Sequence, residues 1–251
     1  MDELTVHTIG GPTAVLTYAG SRLMLDPTFD GPGEYRNGPV TSIKLAGPAA
    51  GPREIGQVDA VLLSHDHHID NLDVAGRDYV LGAPRVFTTT AGADRLGAAA
   101  TGLRPFEHSD VGAVRVTAVP ALHGSPEVGL RNGPVVGFVL ESDDQPTVYV
   151  SGDNASLDVV AIVAERFPDI EIAILNVGAA KLAARGDVFL TLTADLAARA
   201  AALLGVRAVV PVHQDGWGHF TQGAEDVVRA FAEAGSAEVL HDLRPGASVT
   251  L

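Results

Sequence analysis

Four apolar runs of strand length each end on a side chain that can ligate a metal: "AVLLSH" at His65, "VTAVPALHG" at His123, "TVYVSGD" at Asp153 and "AVVPVH" at His213. Short β-branched runs bounded by Gly, Pro, Ser or Asp read as buried strands. The rest of the chain fits the same frame. "TVHTIG", "AVLTYA" and "AGSRLMLDP" are strands around tight turns, and "PRVFTT" is followed by a helical "AGADRLGAAA". A second block holds "AVRVTAVPAL", then "VVGFVLES" and "TVYVSG" paired as a hairpin across "DDQP". After it come a helix from Leu157 to Phe167, the strand "EIAILNV", the alanine-rich helix "TADLAARAAALLG", the strand "RAVVPVH" and the helix "GAEDVVRAFAEAG". Two strand blocks, each followed by strand–helix units, predict two sheets with helices outside them. Residues 31–56 are dense in Gly and Pro and read as a long irregular loop. "NLDVAGR" reads as a helix start with Asp70 as its N-cap.

No repeat, linker or low-complexity segment divides the 251 residues, so one domain over 1–251 is expected. With 46% hydrophobic and 19% charged residues a large core is available and disorder is not expected. The net charge of −14 argues against a nucleic-acid or anionic-membrane surface, both of which need clustered cations. There is no cysteine, so disulfides, thiolate nucleophiles and thiolate metal sites are excluded. "MDELTVHTIGG" has neither the basic nor the apolar part of a signal peptide, and no apolar run approaches the ~20 residues of a membrane span. A soluble, cytoplasmic protein acting on a small molecule is expected, and a homo-oligomer is compatible with all of this.

"LLSHDHHIDNLD" places three of the nine histidines within four residues, flanked by Asp66 and Asp70. Without thiolates, imidazole and carboxylate are the donors that suit zinc, iron or manganese. Each residue also has a plainer reading. Asp70 alone could be a helix cap, and His123 or His213 alone a core histidine. Asp153 in "SGD" and Asp26 in "LDP" have turn readings. His219 in "GWGHF" fits a substrate-contacting or proton-donating group and a hydrogen-bonded loop residue equally. Trp217, beside it, fits a pocket wall or the core. What favours ligation is four strand ends sharing one pattern.

The order of a His-rich loop after a strand, then "HG", "SGD" and "PVH", resembles the metallo-β-lactamase superfamily. The resemblance runs from "TIGGPTAVLTYAGSRLMLDPTF" to "PVHQDGWGHF", and is strongest to single-domain hydrolases related to ascorbate-phosphate lactonases. It implies an αββα sandwich, one or two zinc ions at the edge between the sheets, and hydrolysis of a small molecule, a lactone or amide above all, by metal-activated hydroxide. The family loop is H-x-H-x-D-H. Counting forward from the strand makes His65 and His67 the first two ligands, whereas counting back from Asp70 selects His68. The helix start favours His65, His68 and Asp70, with His67 as the alternative. Asn71 stands where the family has its last histidine. The implied sites are therefore unequal. His65, His68, His123 and Asp153 make one, while Asp70, Asp153 and His213 make a second that is richer in oxygen and more tolerant of manganese or iron(II). Asp26 corresponds to an aspartate that orients a ligating histidine. Asp70 would hold the second ion and orient or deprotonate the attacking water. Two other readings remain, a catalytically silent or biosynthetic ligand-binding member and a di-iron redox protein.

Overall fold

The computed structural model describes residues 4–37 and 40–251. Strands β1 (Thr5–Gly10), β2 (Thr13–Tyr18) and β3 (Ser21–Leu25) form an antiparallel meander. A separate hairpin of β4 (Gly33–Asn37) and β5 (Val40–Lys44) follows, then one helical turn, α1 (Pro52–Ile55). β6 (Ala60–Leu62) pairs parallel with β3 and leads through α2 (Val74–Leu81) to β7 (Val86–Thr88). α3 (Thr90–Leu96) then leads to β8 (Ala100–Gly102), and β7 and β8 continue the parallel set. The second half comprises β9 (His108–Val111), β10 (Val114–Pro120), α4 (Pro126–Asn132), β11 (Val136–Glu141), β12 (Thr147–Val150) and α5 (Leu157–Arg166). It ends with β13 (Ile170–Asn176), α6 (Ala194–Leu204), β14 (Ala208–Val212), α7 (Ala224–Glu233) and β15 (Ser248–Thr250). The first sheet has the order β15-β1-β2-β3-β6-β7-β8 and the second β14-β13-β12-β11-β10-β9.

The near-continuous apolar runs follow from burial on both faces. On β13, Ile172 and Ile174 point into the space between the sheets, whereas Ala173 and Leu175 point out toward the helices. On β2, Leu16 joins the same inter-sheet core, where Leu23, Phe138 and Val210 also lie, and Val15 packs outward with Ile55, Val80 and Leu96. α5, α6 and α7 cover the second sheet through Val163, Ala197, Val227 and Phe231. The expected αββα sandwich is the observed architecture. No helix among the described residues is long and apolar enough to cross a membrane.

Three features differ from the reading of the sequence. Residues 31–56 hold the β4–β5 hairpin and α1, because "EYR" and "VTSIK" supply strand-forming residues among the Gly and Pro. α4, β8, β9 and β15 go beyond the elements that the sequence patterns mark, although Ser125 caps α4 and Pro126 sits at its first turn. Asp70 is not a helix cap. The chain first turns on the His68 carbonyl, which accepts from Asn71 N and Leu72 N, and Asp73 then caps α2 by accepting from Gly76 N.

Asp73 does more than cap. It is fully buried, and its Oδ1 accepts from Phe29 N (2.9 Å) and Gly76 N (2.8 Å). Its Oδ2 accepts from Asp30 N (2.7 Å) and from Lys44 Nζ (2.9 Å), itself nearly buried. Gly76 is required beside it, since a Cβ there would lie 1.9 Å from the Pro27 carbonyl oxygen. Lys44 also sits 5.2 Å over the Trp217 ring. On either side of it, Leu45 N donates to Gly216 O and Gly218 N to Ile43 O, both at 2.8 Å. One carboxylate thus ties the hairpin to α2, and the hairpin in turn holds the 216–218 loop. Removing one partner of a buried ion pair leaves an uncompensated charge, at about 3–5 kcal/mol. Asp73→Ala is expected to lose that much in urea unfolding, and adding Lys44→Met should recover part of it. A loss under about 1 kcal/mol in the single variant would show that the ammonium finds water instead.

Candidate metal centre

β3 and β6 run parallel, and so do β12, β13 and β14. β10 runs the same way as β12, because each is antiparallel to β11. Asp26 follows β3, and Ser64 and His65 follow β6. On the second sheet, His123 follows β10, Asp153 follows β12 and His213 follows β14. All of these candidate side chains therefore gather at one edge, where the two sheets face each other. Ligand atoms of His65, His123 and Asp153 lie within 4.8 Å of one another, as do those of Asp70, Asp153 and His213. The two groups share Asp153.

Each imidazole is aimed by a partner. Ser64 N and Oγ donate to Asp26 at 2.7 and 2.8 Å, and Ser64 Oγ lies 2.9 Å from His65 Nδ1. With its own proton given to Asp26, Oγ receives the Nδ1 proton of His65, so Nε2 keeps the lone pair. Asp26 therefore reaches His65 through a serine rather than directly. His123 Nδ1 donates to the Leu190 carbonyl at 2.8 Å, which leaves its Nε2 for a ligand. His213 has a left-handed φ of 61°, unusual for a side-chain-bearing residue. Its N–H donates to Gly11 O at 2.7 Å. Gly178 makes room for it, since a Cβ there would come 2.1 Å from the His213 carbonyl oxygen.

In the loop, His68 Nδ1 lies 2.9 Å from His65 Nε2. His67 donates through Nε2 to the Asn132 carbonyl at the end of α4, although a ligand atom of it also lies within 4.8 Å of those of His65 and His68. Asp66 is no part of the cluster. Its buried carboxylate accepts from Arg95 Nε at 2.8 Å, and its carbonyl accepts from Arg77 at 2.9 Å. Asn71 donates to Asp26 (3.1 Å) and Asp153 (3.2 Å). His219 Nε2 lies 2.8 Å from Asp70 Oδ2. Asn176, absent from the reading of the sequence, donates to Asp153 Oδ1 at 2.7 Å. It ends the apolar strand "EIAILN", so the strand-end rule that selected the other four would have found it. Trp217 is buried under Lys44 and does not line the cavity beside His219.

The centre's electrostatics are those of a cation site. Asp153 is wholly buried and its Oδ2 has no hydrogen-bond partner, nor does either ring nitrogen of His213, also wholly buried. His213 Nε2 lies 3.4 Å from Asp153 and 3.5 Å from Asp70. Buried polar atoms are seldom left so, and a soft or borderline cation among N and O donors satisfies all three at once. Burial, together with the neighbouring imidazoles, pushes His65 well below its usual value and His68 down to about 3, which keeps both neutral and able to ligate. Burial works against ionisation of Asp70, but the charges of His219 and His213 and the His219 hydrogen bond hold its carboxyl well below the usual range. Burial raises Asp26 to about 7, against the pull of its Ser64 hydrogen bonds.

A cavity of about 250 Å³ opens over the centre. His67, His68, Asp70, His123 and His219 are among its polar lining, and Ile69, Leu182 and Leu190 line it with apolar surface. A larger hollow of about 370 Å³ beside Phe106, Arg115 and Phe167 holds none of these groups.

A model of the β-lactamase superfamily domain matches residues 21–214, and the chain belongs to the metallo-β-lactamase superfamily. A UPF0173 metal-dependent hydrolase of Pelotomaculum thermopropionicum is 27% identical over 250 residues, covering 96% of this chain and 97% of that protein. The structure of isothiocyanate hydrolase from Delia radicum gut bacteria is similar with a TM-score of 0.83 at 21% identity, over 98% of each chain. That of a possible metal-dependent hydrolase from Veillonella parvula gives 0.85 at 20%, over 99% of this chain and all of that one. Within its superfamily the chain is a metal-dependent hydrolase.

The Asp66 brace gives a pH test. Burial opposes its ionisation, yet the Arg95 and His67 hydrogen bonds and charges hold its pKa well below the usual value. A depressed carboxyl contributes stability above the unfolded pKa of about 3.9 and loses it as the pH falls through the folded value. Asp66→Asn should therefore cost about 2 kcal/mol at pH 7, measured by urea unfolding of metal-stripped protein. The gap to wild type should narrow as the pH is lowered past 4. A gap that does not change with pH would mean that shape, not charge, is what Arg95 recognises.

Proposed function

We propose that the chain hydrolyses a small cyclic ester or amide at a centre that holds two ions, zinc in the first position and zinc, manganese or iron(II) in the second. The observation that carries this reading is the pair of donor groups meeting at Asp153. His65, His68, His123 and Asp153 form the first position. His68 is preferred to His67 because its Nδ1 faces His65 Nε2, while His67 is committed to Asn132. Asp70, Asp153 and His213 form the second. Asn71 offers no imidazole there and its amide is turned to Asp26 and Asp153, so this position has fewer nitrogen donors.

Ions held there supply Lewis acidity, which polarises the bond under attack and makes water nucleophilic at neutral pH. The protein's own groups do the rest. Ser64 and Leu190 fix the tautomers of His65 and His123. The apolar wall at Ile69, Leu182 and Leu190 excludes bulk water, which strengthens every charge interaction at the centre. His219 lines the cavity with its Nε2 on Asp70, so Asp70 aims the ring and His219 is placed to give a proton to the departing atom. The lactone preference is drawn from the resemblance to lactonases, and the cytoplasm is the proposed location.

Removing a metal ligand should cost far more than changing its surroundings, which typically costs 10- to 100-fold in metal affinity. His123→Ala is expected to abolish hydrolysis across a panel of lactones and to lower bound metal by elemental analysis. Unchanged turnover would sink the reading. His68→Ala should lose an ion and His67→Ala should keep both, and the reverse would exchange their assignments. A chelator titration should strip one ion first, with activity falling at that step, and Asn71→His should tighten the second. Simultaneous loss of both ions in the wild type would show that the positions are not unequal.

A further inference from the structure

The cavity over the centre carries two cations that hydrolysis itself leaves unused. Arg131 lies in the last turn of α4 and Arg185 closes the short turn at 183–185, more than fifty residues further along the chain, yet both line the same cavity. Neither guanidinium has a carboxylate, carbonyl or ring partner among the described residues. Lys181, four residues before Arg185, is by contrast paired with Asp187. The one carboxylate lining the cavity, Asp70, is held by His219.

The rest of the molecule makes this placement informative. The chain bears a net charge of −14, a field that repels anions in general. Two unneutralised guanidiniums at one small cavity reverse that field locally. Their planar forks suit an oxyanion, and the apolar surface of Leu182 and Leu190 in the same cavity suits a short hydrocarbon body.

We infer that the substrate is an anion, bearing a carboxylate or phosphate-type group remote from the bond that is cleaved, and that Arg131 and Arg185 receive that group. This rests on the cavity being the hydrolytic site. The two residues select the substrate by binding and take no part in bond cleavage.

The test compares the acetate, hydrogen succinate and phosphonoacetate esters of 4-nitrophenol on metal-loaded protein. Affinity is read as KM where an ester turns over and as a calorimetric Kd where it does not. At least one anionic ester should bind about 10-fold tighter than the neutral acetate, and the tighter of the two identifies the oxyanion. That preference should shrink with added salt. Arg131→Gln and Arg185→Gln should each remove most of it with metal content unchanged, while Arg199→Gln, on the exposed face of α6, should leave it intact. Equal affinity for all three esters overturns the inference, as does a preference that survives in the Arg131→Gln/Arg185→Gln double variant. An anion preference without turnover of any ester supports the inference and counts against the hydrolytic reading alone.

Discussion

Asp153 sits at the end of β12 with no access to solvent and one oxygen without a partner. A carboxylate in that position is costly unless a positive charge shares its surroundings. The structure spends its one polar seam on meeting that requirement. His123 and His213 flank the carboxylate from the same sheet, Asn176 donates to it from β13, and Asn71 donates from the loop of the opposite sheet. The apolar sandwich behind it supplies rigidity, since residues buried on both faces of the central strands β12, β13 and β14 hold the strand ends in register.

Support from outside the sandwich is of a second kind. The β4–β5 hairpin belongs to neither sheet, yet it lines the cavity through Val40 and Ser42 and pairs its backbone with the loop leading to His219. Its own anchor is the buried Lys44–Asp73 pair. Asp73 is three residues from Asp70, so the segment that carries the loop donors also fastens the wall that faces them. Disturbing either end of this linkage reaches the centre without touching a donor.

Much of this was legible in the chain. Strand-length apolar runs marked both sheets, and the polar residue closing each run marked His65, His123, Asp153 and His213. Asn176 closes the strand "EIAILN" in the same way, and its amide is well suited as a donor to the Asp153 carboxylate. Spacing does not choose between His67 and His68, because both adjacent imidazoles lie within reach of His65 in the same tight turn. Asp70 was misread as a cap for a related reason. Asp70 and Asp73 each stand within two residues of a following apolar side chain, Leu72 and Val74, and only the turn on the His68 carbonyl delays the helix to the second of them. The hairpin was hidden because Gly and Pro dominate the composition of 31–56 while the strand-forming residues between them are few.

The proposed donor side chains are divided between the two sheets: His65, His68 and Asp70 stand on one, His123, Asp153 and His213 on the other. In a chain without cysteine, an ion gripped from both sides would act as a cross-link between the halves of the molecule. It would close a loop of well over a hundred residues, from the end of β6 to the end of β14. Its contribution to resisting denaturation would scale with the logarithm of free metal over the dissociation constant. Metal supply would then govern how long the protein survives as well as whether it works, and starvation for the ion would be felt as turnover of the chain itself.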